Sequence, residues 1–349
     1  MTHVHARATD GPEARFRDIV IERRDPRPKD VLIAVEFSGI CHSDLHHVAN
    51  DYNKTVYPFV PGHEVAGVVT AVGSEVSKYK VGDRVGVGCM VDSCRECEAC
   101  KAGWHQFCFK GYTNTQNGID KDGNRVDGGY AESIVVDEDY VVRIPDSLPM
   151  AEAAPLMCAG ATMWSVMTHW NVGPGKRVCV LGFGGVGHIG VQIAHKLGAR
   201  VTVLDLSLDK QEDGFRLGAD EYRSTLDPEL FTELAKSFDL IVCTVPVNID
   251  YDAYAGLLAY NGTLVLLAIP SKPLTMNVGS LIVNRRSVAG TLIAGIPETQ
   301  AMLDFCGEHD VKAQVEIIDA DYIDEAYDRV MKGDVKFRFV IDASTFDKS

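Results

Sequence analysis

Two different rhythms of apolar and polar positions run along this chain. In the first part, short apolar runs rich in β-branched residues cover residues 31–37, 65–72, 83–87 and 134–136. Turn signals separate them: Pro61-Gly62, Gly73-Ser74, Val81-Gly82-Asp83 and Gly128-Gly129. Runs of this length between such turns predict a barrel-like, all-β domain. From residue 89 to 127 the pattern stops, and cysteines, glycines and charges follow one another without a period. That stretch predicts a lobe organised by something other than an apolar core.

A second rhythm starts near Gly173. Residues 178–181, 201–204, 240–243 and 263–268 read as strands, and 209–217 and 251–259 as helices. Between the first two strands, Val186, Ile189, Ile193 and Leu197 recur at helical spacing. Strands alternating with helices predict a parallel, doubly wound sheet. The tail carries amphipathic helices at 301–308 and 324–332 and an apolar run at 337–342 that is expected to rejoin the first domain. The fold class is therefore α/β plus β. A β-rich domain spans 1–157, with its lobe at 89–127; a cofactor domain spans 158–296; a return segment spans 297–349.

Charge narrows the partners. The chain has 49 acidic against 34 basic residues, a net charge of -15. An acidic surface disfavours nucleic acid and anionic membranes, which need clustered Lys and Arg. Residues 1–30 lack a basic stretch followed by an apolar run, and no segment reaches the roughly 18 apolar residues of a membrane span, so a cytoplasmic protein is expected. In that compartment the ten cysteines read as metal ligands, reactive thiols or core residues rather than disulfides.

Cys94, Cys97, Cys100 and Cys108 are spaced C-x2-C-x2-C-x7-C. Four thiolates inside a segment without other order fit a tetrahedral structural zinc, which would tie down a lobe with little apolar surface to bury. A bacterial iron–sulfur cluster would end C-x3-C-P, whereas here the last gap is seven residues and Phe109 follows. Asp92, Glu96 and Glu98 disfavour a nucleic-acid zinc ribbon.

A second, open site is expected from Cys41-His42-Ser43-Asp44 and Pro61-Gly62-His63-Glu64. Together they offer a thiolate, an imidazole and two carboxylates. Catalytic zinc takes three protein ligands and leaves a position free, so one ligand is missing. Cys179 and Cys243 sit in expected buried strands. Cys158 lies in a run of small residues between the two expected domains and is a plausible cleft position.

Gly182-Phe183-Gly184-Gly185-Val186-Gly187 follows a strand and opens a helix, the context a dinucleotide fingerprint requires. The first glycine permits the turn, the second the approach of a pyrophosphate, and the third close helix–strand packing. Asp205 ends the next strand, 18 residues after Gly187. A carboxylate there accepts hydrogen bonds from ribose hydroxyls and repels a 2′-phosphate, which favours NAD. Ser207 and Lys210 keep NADP open.

These residues resemble the zinc-containing medium-chain alcohol dehydrogenases, and within them the cinnamyl alcohol dehydrogenase-like branch and its bacterial members. The resemblance covers nearly the whole chain. It rests on residues 41–46, Gly62-His63-Glu64, Gly82-Asp83-Arg84-Val85, the four-cysteine lobe, Gly128-Gly129-Tyr130-Ala131-Glu132 and the glycine fingerprint. It implies a GroES-like catalytic domain and a Rossmann cofactor domain. It implies Cys158 as third zinc ligand beside Cys41 and His63, Asp44 orienting His63, and Glu64 as a carboxylate able to approach the metal. It further implies His42 and Thr162 near the cofactor, Arg338 on its pyrophosphate, and the loop 290–295 beside the nicotinamide. Ser43 would accept the alcohol proton and pass it by the cofactor ribose to His46, with His47 the neighbouring competitor. Tyr52, Met90 and Leu292 are pocket candidates, followed by Trp164 and Tyr112. They suit an aromatic or allylic primary alcohol or aldehyde of benzyl or cinnamyl type. Reduction of an activated C=C or iminium bond is the alternative chemistry. The resemblance also implies a homo-oligomer, dimer or tetramer, with 281–283 and 292–296 as candidate contacts. The branch usually carries small hydroxyl residues where this chain has Asp205, and uses NADPH.

Overall fold

The computed structural model describes residues 2–270 and 272–346. Contacts gather the chain into two compact units, Met1–Ala161 with Ala294–Ser349, and Thr162–Ile293.

In the first unit a seven-stranded sheet runs Val142–Arg143, Arg84–Val87, Val65–Val72, Asp30–Gly39, Arg338–Asp342, Val315–Ile318, with Ser133–Asp137 also paired to Asp30–Gly39. All pairs are antiparallel except the last two strands, which run parallel. Alternating Val and Ile positions turn Val31, Ile33, Val65, Val85, Val87, Ile134, Phe339 and Ile341 into the core, each essentially inaccessible. Burying a side chain of this kind contributes roughly 1.5–3 kcal/mol. The strand Asp30–Gly39 carries two irregularities in its register, at Leu32/Ile33 and Val35/Phe37. Gly67 lets the neighbouring strand approach it: a Cβ there would stand 2.1 Å from the Ala34 carbonyl oxygen. The strand ends at Gly39, paired to Val340 of the return segment, and the chain turns through Cys41 into the helix His42–Val48.

This sheet holds all four runs expected as strands and the tail run at 337–342. The N-terminal hairpin Thr2–Ala8/Arg17–Arg23, rich in charges, was not expected. The lobe holds only pieces of two to four residues: Met90–Asp92, Glu98–Lys101, the 3-10 turn His105–Phe107, Thr113–Asn114, Gly118–Ile119 and Arg125–Val126. Elements this short leave no periodic signal, which is why the pattern stops there.

The second unit is built on six parallel strands in the order Glu221–Ser224, Arg200–Asp205, Arg177–Leu181, Phe238–Cys243, Leu258–Leu266, Ser287–Gly290. Numbered along the chain this is 3-2-1-4-5-6, the doubly wound dinucleotide order. The strand order reverses beside Arg177–Leu181, and ligands bind at such switch points. The two outer strands, which carry Glu221, Arg223 and Ser224 at one edge and Ser287 and Gly290 at the other, were not expected; edge strands lack the buried apolar run. The helix expected at 251–259 is shorter, Tyr251–Leu257, because the next strand begins at once at Leu258. Among the described residues no helix is long and apolar enough to cross a membrane.

Candidate active site

Cys41, His63, Glu64 and Cys158 converge in the first unit, with one ligand atom from each lying within 4.8 Å of the others. Backbone geometry explains the meeting. Cys41 caps the helix His42–Val48, and Asp44 Oδ2 accepts from the Cys41 N–H at 2.9 Å. Gly62 precedes the second pair in left-handed conformation, φ +106°, and a Cβ there would strike Tyr130 and Gly129 at 2.7–2.8 Å. Gly39 leaves room for Glu64, whose Oε2 a Cβ would meet at 2.2 Å. Cys158 follows the 3-10 turn Ala154–Met157 and precedes the helix Ala159–His169.

The ring of His63 is buried and its Nδ1 lies 2.7 Å from Asp44 Oδ1. Its Nε2, aimed at the cluster, has no hydrogen-bond partner among the described residues, and neither has Glu64 Oε1. Two buried polar atoms without partners beside two thiols fit a metal ion, because an unpaired buried polar atom is costly otherwise. Two sulfurs and an imidazole nitrogen are the donor set zinc takes at catalytic sites. Burial pushes the Glu64 carboxyl up to about 8 against the pull of Arg338. Burial pulls His63 down, but the adjacent Asp44 charge and hydrogen bond hold it well above the usual histidine range. Ser43 Oγ stands 3.7 Å from Cys41 Sγ, and His46 Nδ1 lies 2.7 Å from Asp51 Oδ2 at the surface.

The guanidinium of Arg338, for which the resemblance implies a cofactor contact, donates to the Ile40 carbonyl at 2.8 Å and to Glu64, and is only 4% exposed. It reaches Glu64 because the return strand pairs with Asp30–Gly39. Other neighbours were not singled out from sequence. Cys89 is in hydrogen-bond contact with Cys158, where the Gly88 backbone lies against the Met157 carbonyl. Gln116 accepts from Gly62 N–H at 2.7 Å and places its amide nitrogen 3.1 Å from His63 Nδ1. Both lie within the irregular lobe or at its start, where no pattern marks them.

Cys94, Cys97, Cys100 and Cys108 form the second convergent group. Backbone N–H groups of Cys97 and Cys94 point at the sulfurs of Cys94 and Cys108, at 3.4 and 3.5 Å. Arg95 takes a left-handed φ of 61° inside the knuckle. Backbone amides of Phe109 and Cys100 pull the Cys97 thiol down to about 6, while burial pushes the Cys100 thiol up to about 12; a tetrahedral zinc takes all four as thiolates.

In the second unit the fingerprint lies between Arg177–Leu181 and the helix Gly187–Lys196. Gly182 has φ +93° and Gly187 abuts its carbonyl oxygen, where a Cβ would lie at 2.0 Å. A Cβ at Gly184 would meet nothing within 4 Å, an open cradle at a helix N-terminus that fits a pyrophosphate. Gly185 and Val186 complete the turn. Asp205 closes the strand Arg200–Asp205 and accepts from the Tyr222 hydroxyl at 3.2 Å. Ser207 is exposed and bonds Asp209 at 2.9 Å, and Lys210 caps the helix Gln211–Arg216.

Of the pocket candidates, Tyr52 and Tyr112 lie within electrostatic reach of the open cluster, and Tyr52 packs on the His46 and His47 rings. Burial and then the Cys89 and Cys158 charges push the Tyr112 phenol up to about 12; burial and the Cys41 charge raise Tyr52. Met90 is buried in the first unit. Thr162, Trp164 and Leu292 belong to the second unit, and His42 is an exposed first residue of its helix.

Comparison with known proteins agrees over the full length. Residues 27–146 match the family described as alcohol dehydrogenase GroES-like domain, and residues 185–308 the family described as zinc-binding dehydrogenase. An NADP-dependent alcohol dehydrogenase C of Mycolicibacterium smegmatis is 56% identical over 99% of each chain. A cinnamyl alcohol dehydrogenase structure from Sorghum bicolor superposes with a TM-score of 0.96 at 40% identity, covering 100% of both chains. The CAD of Helicobacter pylori complexed with NADP(H) gives 0.92 at 37%, covering 98% of this chain and 99% of that one. The convergent cysteine–histidine cluster, the four-cysteine lobe, the 3-2-1-4-5-6 sheet and these relatives together assign the chain to the zinc-dependent medium-chain alcohol dehydrogenases, in their cinnamyl alcohol dehydrogenase-like branch, enzymes that interconvert alcohols and aldehydes with a nicotinamide cofactor.

Proposed function

We propose that this enzyme acts on medium-sized primary alcohols and aldehydes of aromatic or allylic character, and that it prefers NAD(H). The observation that carries the site reading is the open cluster: two thiols, one imidazole and one carboxylate within 4.8 Å, one donor more than a three-ligand catalytic zinc needs. On this reading Cys41, His63 and Cys158 hold the metal. Asp44 fixes the His63 ring, and Arg338 holds Glu64 as a reserve donor. A zinc ion held there would supply Lewis acidity towards the substrate oxygen, and a nicotinamide cofactor would supply or accept the hydride. Ser43 takes the hydroxyl proton, and His46, on the same helix and steadied by Asp51, carries it towards solvent. Tyr52 and Tyr112 supply aromatic surface for the substrate, and the names of the cinnamyl alcohol dehydrogenase relatives support that class.

Asp205 supports NAD(H), because its carboxylate stands at the strand end where a 2′-phosphate would meet a like charge. The second reading, NADP(H), is favoured by the relatives' names and by the hydroxyl of Ser207 and the cation of Lys210. We further propose a cytoplasmic homo-oligomer. Among the described residues the strand Ser287–Gly290 pairs on one side only, and Val278, Ile282 and Val283 are 64–77% exposed.

A panel of benzyl-type, cinnamyl-type and aliphatic aldehydes and enals, run with both cofactors, tests these assignments together. Reduction of the aromatic aldehydes is expected, with kcat/KM about tenfold higher for NADH, the worth of roughly 1.4 kcal/mol of repulsion at Asp205. A preference for NADPH would overturn the cofactor reading, and turnover confined to C=C bonds the substrate reading. Light scattering on the same preparation should give a mass above the 38.1 kDa of one chain. Ser43→Ala is expected to lower kcat by about 10²–10⁴ with zinc content and cofactor affinity unchanged; near-normal turnover would remove Ser43 from the relay.

A further inference from the structure

We infer that Tyr130 and Tyr327 are positioning residues of the open metal site, acting on His63 through the carboxylate of Asp44. The inference rests on the reading of His63 as a zinc ligand.

Asp44 is fully buried, and its two oxygens are used differently. Oδ1 faces His63 Nδ1 at 2.7 Å. Oδ2 accepts the Cys41 N–H at 2.9 Å and the Tyr130 hydroxyl at 3.3 Å. An ionised carboxylate only accepts, so Tyr130 must donate to it. The Tyr130 oxygen is then left to accept, and the Tyr327 hydroxyl lies 3.3 Å away. The resulting chain runs in one direction, Tyr327 to Tyr130 to Asp44, and meets the His63 N–H on the other oxygen. Hydrogen-bonded chains in low dielectric polarise one another. Here they pin the plane of the carboxylate, and through it the plane of the imidazole.

The surroundings hold the hydroxyls in place. Tyr130 is fully buried and its N–H bonds the Pro61 carbonyl at 2.9 Å, while the Gly129 N–H bonds the Gly62 carbonyl at 2.9 Å. The segment that carries His63 and the segment that carries Tyr130 are therefore zipped together. Tyr327 comes from the helix Ile323–Lys332 of the return segment. The Phe16 ring packs on it at 5.1 Å, edge-on, and the Phe16 N–H bonds Asp324 on the same helix at 3.1 Å. The C-terminal segment thus reaches the metal site without supplying a ligand.

The test uses the full-length, zinc-loaded protein and a chromophoric chelator that follows zinc loss from each site. Tyr130→Phe keeps the ring and removes only the hydroxyl. The 3.3 Å spacings are long for an O–H···O bond, so release from the open site should accelerate about three- to tenfold, less than the 10–100-fold typical of a group bonded directly to a ligand. Release from the four-cysteine site serves as the internal control and should not change. Tyr327→Phe should act in the same direction but less, and reads the same chain from its outer end if the first variant does not fold. Added to Tyr130→Phe it should change nothing further, because Tyr327 reaches Asp44 only through Tyr130. Unchanged or slower release from the open site, or equal acceleration at both sites, would overturn the inference. A wild-type protein that releases zinc from the four-cysteine site alone would instead overturn the reading of His63.

Discussion

Cys158→Ala is expected to lower kcat for aldehyde reduction by about a thousandfold or more and to strip the metal from the open cluster. A Lewis-acidic metal contributes several kcal/mol of transition-state stabilisation, and about 4 kcal/mol is a factor of 10³ in rate. On the proposed ligand set Cys158 brings the cluster to three soft or imidazole donors; without it, Cys41, His63 and the Arg338-held Glu64 are what remains of the four groups within 4.8 Å. Cys158 is 8% exposed and follows a short 3-10 turn, so alanine leaves a small gap and no unpaired buried charge. Metal analysis should find zinc in one of the two clusters, and circular dichroism an intact fold. Cofactor binding should persist, since the glycine fingerprint belongs to the other unit. Retention of both metals with kcat within tenfold of wild type would contradict the ligand role.

Cys100→Ser is expected to act on stability instead. The lobe around it holds elements of two to four residues, too short to form without an anchor. Structural zinc contributes an apparent 10–16 kcal/mol in small domains. Losing even about 4 kcal/mol should lower the melting temperature by roughly 10 °C at 2–4 °C per kcal/mol. Cys100 is buried, with Ser93 Oγ at 3.1 Å and Cys94 Sγ at 3.8 Å, so serine cannot simply turn to water. Thermal melts, zinc counts and limited proteolysis across residues 89–127 would read the effect. A wild-type melting curve in a protein short of one zinc would refute the structural role.

Much of this molecule is legible along the chain. The four-cysteine spacing needs no tertiary information, because all its ligands lie within fifteen residues of sequence and a loop of that length closes at little entropic cost. The glycine fingerprint is equally local, since a strand, a tight turn and a helix start are consecutive. The alternating strands and helices of the second unit follow from buried apolar runs, while its polar outer strands, Glu221–Ser224 and Ser287–Gly290, escape the same reading.

The open site divides differently. Local sequence singled out two of its candidate donors, Cys41 and His63, and determined the helix cap that fixes Asp44 beside Cys41. Spacing alone did not choose the third thiol: Cys179 and Cys243 read as core cysteines of buried strands and Cys158 as a plausible cleft position; the family resemblance implied Cys158. The structure puts Cys179 and Cys243 in buried strands and Cys158 within 4.8 Å of the others. Only the tertiary structure decided that Arg338 lies on Glu64, that Cys89 touches Cys158, and that Tyr130 and Tyr327 back Asp44. Those contacts join positions up to 274 residues apart. No local periodicity encodes such a meeting. It depends on strand pairing, which brings the return segment against Asp30–Gly39 and so sets which distant side chains share one buried space.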